Sequence, residues 1–180
     1  MNSFQLPDFE INPISESDGW RLCDFISANA DYIKRYFPKT VAANLNPTLS
    51  NIFVLEKTAE FISGKEYIFT LKEPENRKII GLVYLKKLRR AAKEAEIAYC
   101  ISYDHHNKGF ATLAVKTISE WGFNKQELRR LRIIAHKSNL SSITVAENCG
   151  YIWKKTLLKE HTPPNEDPLN MELYILENER

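Results

Sequence analysis

A chain of 180 residues, 43% hydrophobic and 27% charged, has the composition of one globular domain that buries about two-thirds of the surface its unfolded form exposes. Its formal net charge is +2, with acidic and basic residues mixed along the chain, which argues against a nucleic-acid-binding protein. Three widely spaced cysteines give neither a disulfide framework nor a zinc-site spacing, and no apolar run reaches the roughly 18 residues of a membrane span. We expect a single cytoplasmic domain over residues 1–180, without a signal peptide.

The N-terminal part is predicted to be a short strand followed by two helices. Residues 9–14 fit the strand, and Ser15 or Ser17 can cap the first helix. The second helix is predicted to start near Thr48 and to stop at Gly64. The apolar positions expected at helical spacing in these two helices are Trp20, Leu22, Phe25, Ile26, Ile52, Leu55 and Phe61.

Three short strands are predicted next. Tyr67–Leu71 and Ile79–Leu85 are runs of β-branched and aromatic residues separated by the turn residues 73–76, which is typical of an antiparallel hairpin. Residues 86–94 are predicted to be a charged turn, and Ile97–Ser102 is predicted to be the third strand.

The C-terminal half of the chain alternates helices and strands. The predicted elements are a helix over about Gly109–Phe123, a strand over residues 131–135, a short helix over Leu140–Cys149 closed by Gly150, and last strands at Tyr151–Trp153 and Met171–Leu176. This order indicates an α+β fold with a mixed central β-sheet of about six to seven strands flanked by about four helices. The strand-helix-strand crossover between residues 97 and 135 is expected to be parallel and right-handed.

The most informative segment is Tyr103–Thr112, where a strand runs into a polar turn with Gly109 and a long amphipathic helix begins at once. Amides at a helix N-terminus, together with the positive end of the helix dipole, form an anion site. Glycine lets a diphosphate approach the backbone, and the small Ala111 keeps the next turn open. Taken alone, the segment fits an ordinary strand-to-helix turn equally well.

Three motifs surround this segment in a fixed order. Glu96–Tyr99 is a strand of glutamate, isoleucine, a small residue and tyrosine. His106–Ala111 resembles a phosphate-loop pattern of Arg or Gln, two residues, Gly, one residue, then Gly or Ala. Gly109 and Ala111 match this pattern, and His106 departs from its first position. Asn139–Tyr151 reads Asn, two residues, Ser, two residues, then Val-x-Glu-x-x-Gly-Tyr. The sequence therefore resembles the GNAT superfamily of N-acetyltransferases, and most closely its ribosomal-protein-alanine (RimJ/RimL) branch, over most of residues 9–176.

The resemblance implies a GNAT-like fold and transfer of an acetyl group from acetyl-CoA, as cosubstrate and without a metal, to a primary amine. It also implies that the coenzyme arm runs between the strands matching 97–102 and 131–136, with a backbone amide near Cys100 or Ile101 facing the thioester oxygen. The implied acetyl-CoA contacts are Cys100, Ile101, Ser102, His106, Asn107, Lys108, Gly109, Phe110, Ala111, Thr112, Asn139 and Ser142.

Two side chains are catalytic candidates. Glu96 is the candidate general base, acting directly or through water, although a solvated glutamate at a strand edge is the alternative. Ser142 is the candidate partner or proton donor of the leaving thiol, or else a polar residue on a helix face. Many members of the family carry a tyrosine acid where this chain has Ala146. Asn139 can cap its helix, and the resemblance adds a hydrogen bond to the coenzyme arm.

Other features keep more than one interpretation. His105 and His106 are adjacent in sequence and lack a metal-site pattern, so they are expected to be polar loop residues. The basic cluster at 86–90 fits a solvated turn, with recognition of an acidic substrate or of RNA as the alternative. Trp20, Tyr32, Tyr36 and Phe37 fit packing of helices on the sheet, or an amine pocket that the loop 161–168 would border.

The acceptor is expected to be a protein or peptide N-terminus or a small-molecule amine, such as a polyamine or an aminoglycoside. No membrane or nucleic-acid partner is expected, and the chain is expected to be a monomer or a homodimer. The sequence also allows two other functions. One is a catalytically weakened CoA-binding sensor or interaction domain, and the other is a nucleotide-phosphate binder, for which no lysine-serine pair follows Gly109.

Overall fold

The structure is a computed structural model that describes residues 3–178. Five α-helices lie within these residues: α1 (Gly19–Ile33), α2 (Pro38–Ala42), α3 (Pro47–Ser63), α4 (Phe110–Lys125) and α5 (Leu140–Asn148). The strands over the same range are β1 (Phe4–Gln5), β2 (Glu10–Pro13), β3 (Tyr67–Lys72), β4 (Ile79–Arg89), β5 (Glu94–Ile101), β6 (Arg130–His136), β7 (Ile152–His161) and β8 (Leu169–Glu177). They form one sheet in the order β1-β2-β3-β4-β5-β6-β8-β7. The predicted α+β class with a mixed sheet is confirmed, with one or two more strands than expected.

The chain divides into two compact units. The first comprises the residues up to Tyr84 together with Tyr99–Lys108, and the second comprises Leu85–Ala98 together with the residues from Gly109 onward. Strands β4 and β5 each contribute residues to both units.

In the first unit, β2 pairs with β1 and with β3 in antiparallel register, from Glu10↔Lys72 to Pro13↔Phe69. Helices α1 and α3 pack on each other. Helix α3 begins where the side chain of Asn46 accepts a hydrogen bond from the amide of Leu49 at 3.0 Å. It ends at Gly64, whose φ of 72° suits glycine at the end of a helix. The cap and stop residues therefore determine the length of α3.

In the second unit, β5 and β6 pair in parallel from Glu94↔Arg130 to Glu96↔Arg132. The strand-helix-strand connection between residues 97 and 135 was expected to be parallel. Strand β6 pairs with β8 in antiparallel register along its whole length, from Arg130 to His136. Alternate residues of β6 are buried, which fits a strand with one face on the core. The buried residues are Leu131, Ile133 and Ala135.

Several predicted boundaries and faces are wrong. Strand β4 continues to Arg89, so the first part of the predicted charged turn 86–94 is strand. Strand β7 extends to His161 rather than ending at Trp153, because it pairs with β8 as far as His161↔Leu169. Ile52 and Leu55 are exposed on α3, and Trp20 is exposed on α1; Phe53 and Val54 are buried instead. Helical spacing identified these helices but did not fix which side of each helix faces the core.

Helix hydropathy and the state of the cysteines bear on the class of the protein. No α-helix between residues 3 and 178 is long and apolar enough to cross a membrane. Cys23, Cys100 and Cys149 are free thiols, and all three are buried.

Candidate active site

The segment before α4 belongs to the first unit and is held by side chains from distant parts of the chain. It begins with a 3-10 turn at Tyr103–His105. The amide of Tyr103 donates to Oδ1 of Asn29 at 2.9 Å, and Nδ2 of Asn29 donates to the carbonyl of Phe25 at 2.8 Å. Asn29 is buried on α1, so α1 anchors the start of the loop. This role of Asn29 has no signal in the sequence, because 74 residues separate it from Tyr103.

His106 and Asn107, both predicted cosubstrate contacts, complete this segment together with Lys108. The ring of His106 lies 4.7 Å from the ring of Tyr32 and 5.5 Å from that of Tyr103, centroid to centroid. Asn107 has a φ of 59°, which bends the chain just before the helix. The adjacent histidines make different contacts, and no cluster of metal-ligating side chains occurs among residues 3–178.

Gly109 is the N-cap of α4, in the second unit, with a φ of 77°. A Cβ built at this position meets no atom within 4 Å, so open space lies beside the backbone. Gly109 has no side chain with which to cap this helix, and the first turn of the helix carries no acidic residue. Amides in a first helical turn have no acceptor within the helix, and the dipole favours an anion there. The geometry therefore fits a phosphate-bearing ligand.

The residues that follow Gly109 differ in how they can contribute. Phe110, the first residue of α4, is 8% exposed, so its ring packs in the core. Ala111 and Thr112 are partly exposed. The small side chain of Ala111 adds little bulk to the first turn of the helix.

Cys100 and Ile101 end β5 in the first unit, Ser102 follows directly, and all three are buried. The amide of Ser102 donates to the carbonyl of Ile80 on β4 at 2.8 Å. Because amides alternate between the two edges of a strand, the amide of Ile101 points to the edge away from β4. Burial raises the pKa of the Cys100 thiol to about 12, so this thiol stays protonated. Of these residues, Ile101 is the one whose amide direction suits an external acceptor.

Glu96 lies on β5 in the second unit and is 5% exposed. Its Oε1 lies 3.3 Å from Nζ of Lys86 and its Oε2 lies 3.0 Å from Nζ of Lys87. Glu94, two residues earlier on the same strand, pairs with Arg89 and Arg130. Lys86, Lys87 and Arg89, which are predicted to lie in a solvated turn, are thus partners of two buried carboxylates.

Asn139 and Ser142 are brought into direct contact at the start of α5. Oδ1 of Asn139 accepts a hydrogen bond from the amide of Ser142 at 3.2 Å, which confirms the predicted helix cap. Ala146, one turn further along, is completely buried. The position at which the sequence resemblance implies a tyrosine acid is therefore occupied by a small side chain that packs in the interior.

A cavity of about 390 Å³ opens at the end of β6 in the second unit. Glu172 lines it, held by Nε1 of Trp153 at 2.6 Å and by the hydroxyl of Thr156 at 3.0 Å. The full lining is His136, Lys137, Thr156, Pro168, Leu169, Asn170 and Glu172. This cavity borders the loop 161–168, and sequence reasoning named the loop but not Glu172.

Comparison with known proteins places this geometry in a family. Residues 8–152 match the model of the acetyltransferase (GNAT) domain. The chain is 26% identical over 100 residues to an uncharacterized N-acetyltransferase, p20, of Bacillus licheniformis, a match that covers 56% of each chain. It is 31% identical over 80 residues to spermidine N(1)-acetyltransferase of Escherichia coli K12, covering 44% of this chain and 43% of that one. The chain thus spans about half the length of these curated relatives.

The fold is also that of a solved acetyltransferase. The crystal structure of ribosomal-protein-S5-alanine acetyltransferase from Vibrio fischeri superposes with a TM-score of 0.93 over 99% of this chain and 98% of that one, at 20% sequence identity. At that identity the likeness concerns the fold, and the matching family model covers most of the chain. The protein belongs to the GNAT acetyltransferase domain family.

Proposed function

We propose that this protein is an acetyl-CoA-dependent N-acetyltransferase that acts on a primary amine by direct attack. The observation that carries the proposal is the glycine N-terminus of α4, where Gly109 has a φ of 77° and open space beside it, in a chain of the GNAT family. The same geometry would serve a CoA-binding module without activity, so turnover decides between the two.

The residues from His106 to Thr112 suit the diphosphate of the cosubstrate. They offer backbone amides at a helix start, the positive end of the helix dipole and the ammonium group of Lys108, with no carboxylate in the first turn. Asn139 uses Oδ1 to cap α5, which leaves its Nδ2 as the donor for a carbonyl of the coenzyme arm.

Acetyl-CoA supplies an activated acyl group as a thioester. The amide of Ile101 is our proposed donor to the thioester oxygen, because it points away from β4 while the amide of Ser102 is bonded to Ile80. A fixed donor at that oxygen stabilises the negative charge that develops when the amine attacks.

Glu96 is the proposed general base that removes a proton from the acceptor ammonium, directly or through water. Lys86 and Lys87 hold its carboxylate in one orientation within a buried site. A carboxylate placed in this way is a proton acceptor for the amine. Ser142 is the proposed hydrogen-bond partner of the leaving thiol, in place of the tyrosine that Ala146 replaces.

The acceptor is proposed to enter the cavity beside β6. Glu172 presents a fixed carboxylate there, which suits an ammonium group. A protein or peptide N-terminus and a small polyamine both carry such a group. Cytoplasmic localisation belongs to the same proposal, since acetyl-CoA is an intracellular metabolite and the three thiols are free.

Two measurements test the function. Thermal unfolding with acetyl-CoA, CoA or ATP should show stabilisation by both CoA species and little by ATP, and no shift with either CoA species would contradict the proposal. Release of free thiol from acetyl-CoA is then measured with N-terminal peptides and polyamines as acceptors. CoA binding with no turnover on any acceptor would favour the non-catalytic CoA-binding module instead.

A further inference from the structure

Three side chains of the first unit meet beside residues 103–108: Glu73 comes from a distant turn, and Ser102 and His105 are three residues apart. Nδ1 of His105 lies 3.1 Å from Oγ of Ser102, and Nε2 of the same ring lies 3.3 Å from Oε1 of Glu73. Glu73 lies just after β3, His105 in the 3-10 turn, and Ser102 just after β5. The imidazole thus connects the turn between β3 and β4 to the segment that leads into Gly109.

Each end of this chain of contacts is itself fixed. Oε2 of Glu73 accepts a hydrogen bond from Nδ2 of Asn76 at 2.7 Å, and the amide of Ser102 donates to the carbonyl of Ile80. The amide of His105 donates to the carbonyl of Ser102 at 3.0 Å. The ring therefore lies between two groups that are themselves held by hydrogen bonds.

The hydrogen-bond directions follow from the protonation state of His105. A neutral ring that donates Nε2–H to Glu73 has a lone pair on Nδ1 and accepts the hydroxyl proton of Ser102. Burial lowers the pKa of His105, and Lys108 and Lys78 lower it further, while Glu73 and Asp104 act in the opposite direction. The neutral ring is therefore the form that this environment favours at neutral pH.

We propose that Glu73, His105 and Ser102 form a positioning relay that holds residues 103–108 in the shape that binds the diphosphate of the cosubstrate, an inference that rests on the proposed function. Ser102 resembles the serine of a hydrolytic triad, but its side chain is buried, and it acts as a tie between the strand end and the turn. The relay residues act through the loop and are positioning residues.

The first test needs no cosubstrate. Hydrogen exchange of the amides of residues 103–108 is compared between the wild-type protein and the variants Glu73→Gln, His105→Gln and His105→Asn. His105→Gln keeps a donor for Glu73 and His105→Asn keeps an acceptor for Ser102, so each is expected to lose part of the protection. We expect exchange to be faster by roughly three- to tenfold, the range for loss of one hydrogen bond. Glu75→Gln, in the same turn but exposed, is the matched control and should leave exchange unchanged.

The second test separates positioning from general damage. KM is measured for acetyl-CoA and for S-acetyl-pantetheine, which lacks the phosphates, at a saturating amine concentration. The relay predicts a KM for acetyl-CoA raised by roughly three- to tenfold in the variants, with kcat and the KM for S-acetyl-pantetheine little changed. Equal losses with both donors, or exchange rates like the wild type, would overturn the relay.

Two further outcomes keep the inference and the function distinguishable. If wild-type protein binds no CoA species, the proposed function fails, while the exchange experiment still decides whether the relay holds the loop. If mass spectrometry after incubation with acetyl-CoA finds an acetyl group on Ser102, then Ser102 is a nucleophile and the positioning role is wrong.

Discussion

The ammonium group of Lys87 lies 3.0 Å from Oε2 of Glu96, and the backbone of Lys87 has a φ of 50° within strand β4. A residue with a side chain rarely adopts this conformation, and it costs about 1 kcal/mol or more. The strained backbone and the ion pair occur at the same residue. The local distortion of β4 therefore falls at a residue whose ammonium group pairs with the Glu96 carboxylate.

Glu96→Gln removes the proposed base while keeping the shape of the side chain. We expect kcat to fall by about a hundredfold or more, with the affinity for CoA little changed, because the amide cannot take a proton from the amine. Steady-state kinetics and CoA binding measure the two effects. Glu94→Gln is the control, since Glu94 is equally buried on the same strand. An equal loss of kcat in both variants would assign the effect to the buried charges in general.

Gly109→Ala adds a Cβ at a φ of 77°, where open space surrounds the backbone. We expect a KM for acetyl-CoA raised about tenfold or more, because the methyl group projects where a diphosphate would approach, together with a stability loss of about 1 kcal/mol. Gly150→Ala is the matched control. Gly150 has a φ of 82°, and its nearest new contact is Cδ1 of Leu176 at 3.6 Å. A similar KM change in both variants would point to backbone strain and not to the phosphate loop.

Ser142→Ala removes the proposed partner of the leaving thiol but keeps the backbone amide that Asn139 caps. Because a thiol is already a tolerable leaving group, we expect kcat to fall by only about tenfold. Ser141→Ala, on the exposed neighbour, should have wild-type kinetics. Unchanged kcat in Ser142→Ala would leave protonation of the thiol to water.

Glu172→Gln tests the acceptor site. Loss of the charge is expected to raise the KM for a cationic amine by about tenfold, with the KM for acetyl-CoA unchanged, since charge-assisted hydrogen bonds are stronger than neutral ones. Kinetics with a polyamine and with an N-terminal peptide show which acceptor depends on this carboxylate. Glu160→Gln on β7 serves as control, and equal behaviour of the two variants would exclude the cavity as the acceptor site.

The lowered pKa of His105 predicts a pH dependence of stability. The unfolded chain binds a proton at higher pH than the folded chain does, so acidification favours unfolding. The contribution of neutral His105 to the free energy of unfolding is fully present above the ordinary histidine pKa of about 6.5. It is lost as the pH falls through the pKa that His105 has in the folded protein. We expect the melting temperature to drop between about pH 7 and pH 5, and to drop less in His105→Asn. A His161→Asn control that behaves like His105→Asn would contradict the assignment.

Local sequence patterns predicted the elements that have one exposed and one buried face, or that begin and end at clear capping residues. Strand β6 follows from the alternation at Leu131, Ile133 and Ala135, and α5 follows from Asn139 and Gly150. Strand β7 could not be predicted at its true length, because ten mostly exposed residues at a sheet edge carry no apolar alternation. Its strand conformation comes from pairing with β8, which is a long-range interaction.

In the candidate site, too, the local sequence predicted some residues, whereas long-range contacts bring in others. Gly109 and its helix were evident from spacing, whereas the groups that hold the loop were not. Asn29 and Glu73 reach residues 103–105 from far away in the sequence, and only the folded chain shows the contacts. The sequence predicts Lys86 and Lys87 to be turn residues, because it shows their charges but not the buried carboxylate with which both pair.

Burial of the three cysteines has a practical consequence for assays. Thiol reagents react with the thiolate, and the high pKa of the Cys100 thiol keeps that form scarce, while the thiols of Cys23 and Cys149 are also shielded from solvent. The folded protein should therefore react slowly with a chromogenic disulfide. Free CoA released during turnover can then be followed continuously against a low background, and a sudden rise in that background reports unfolding.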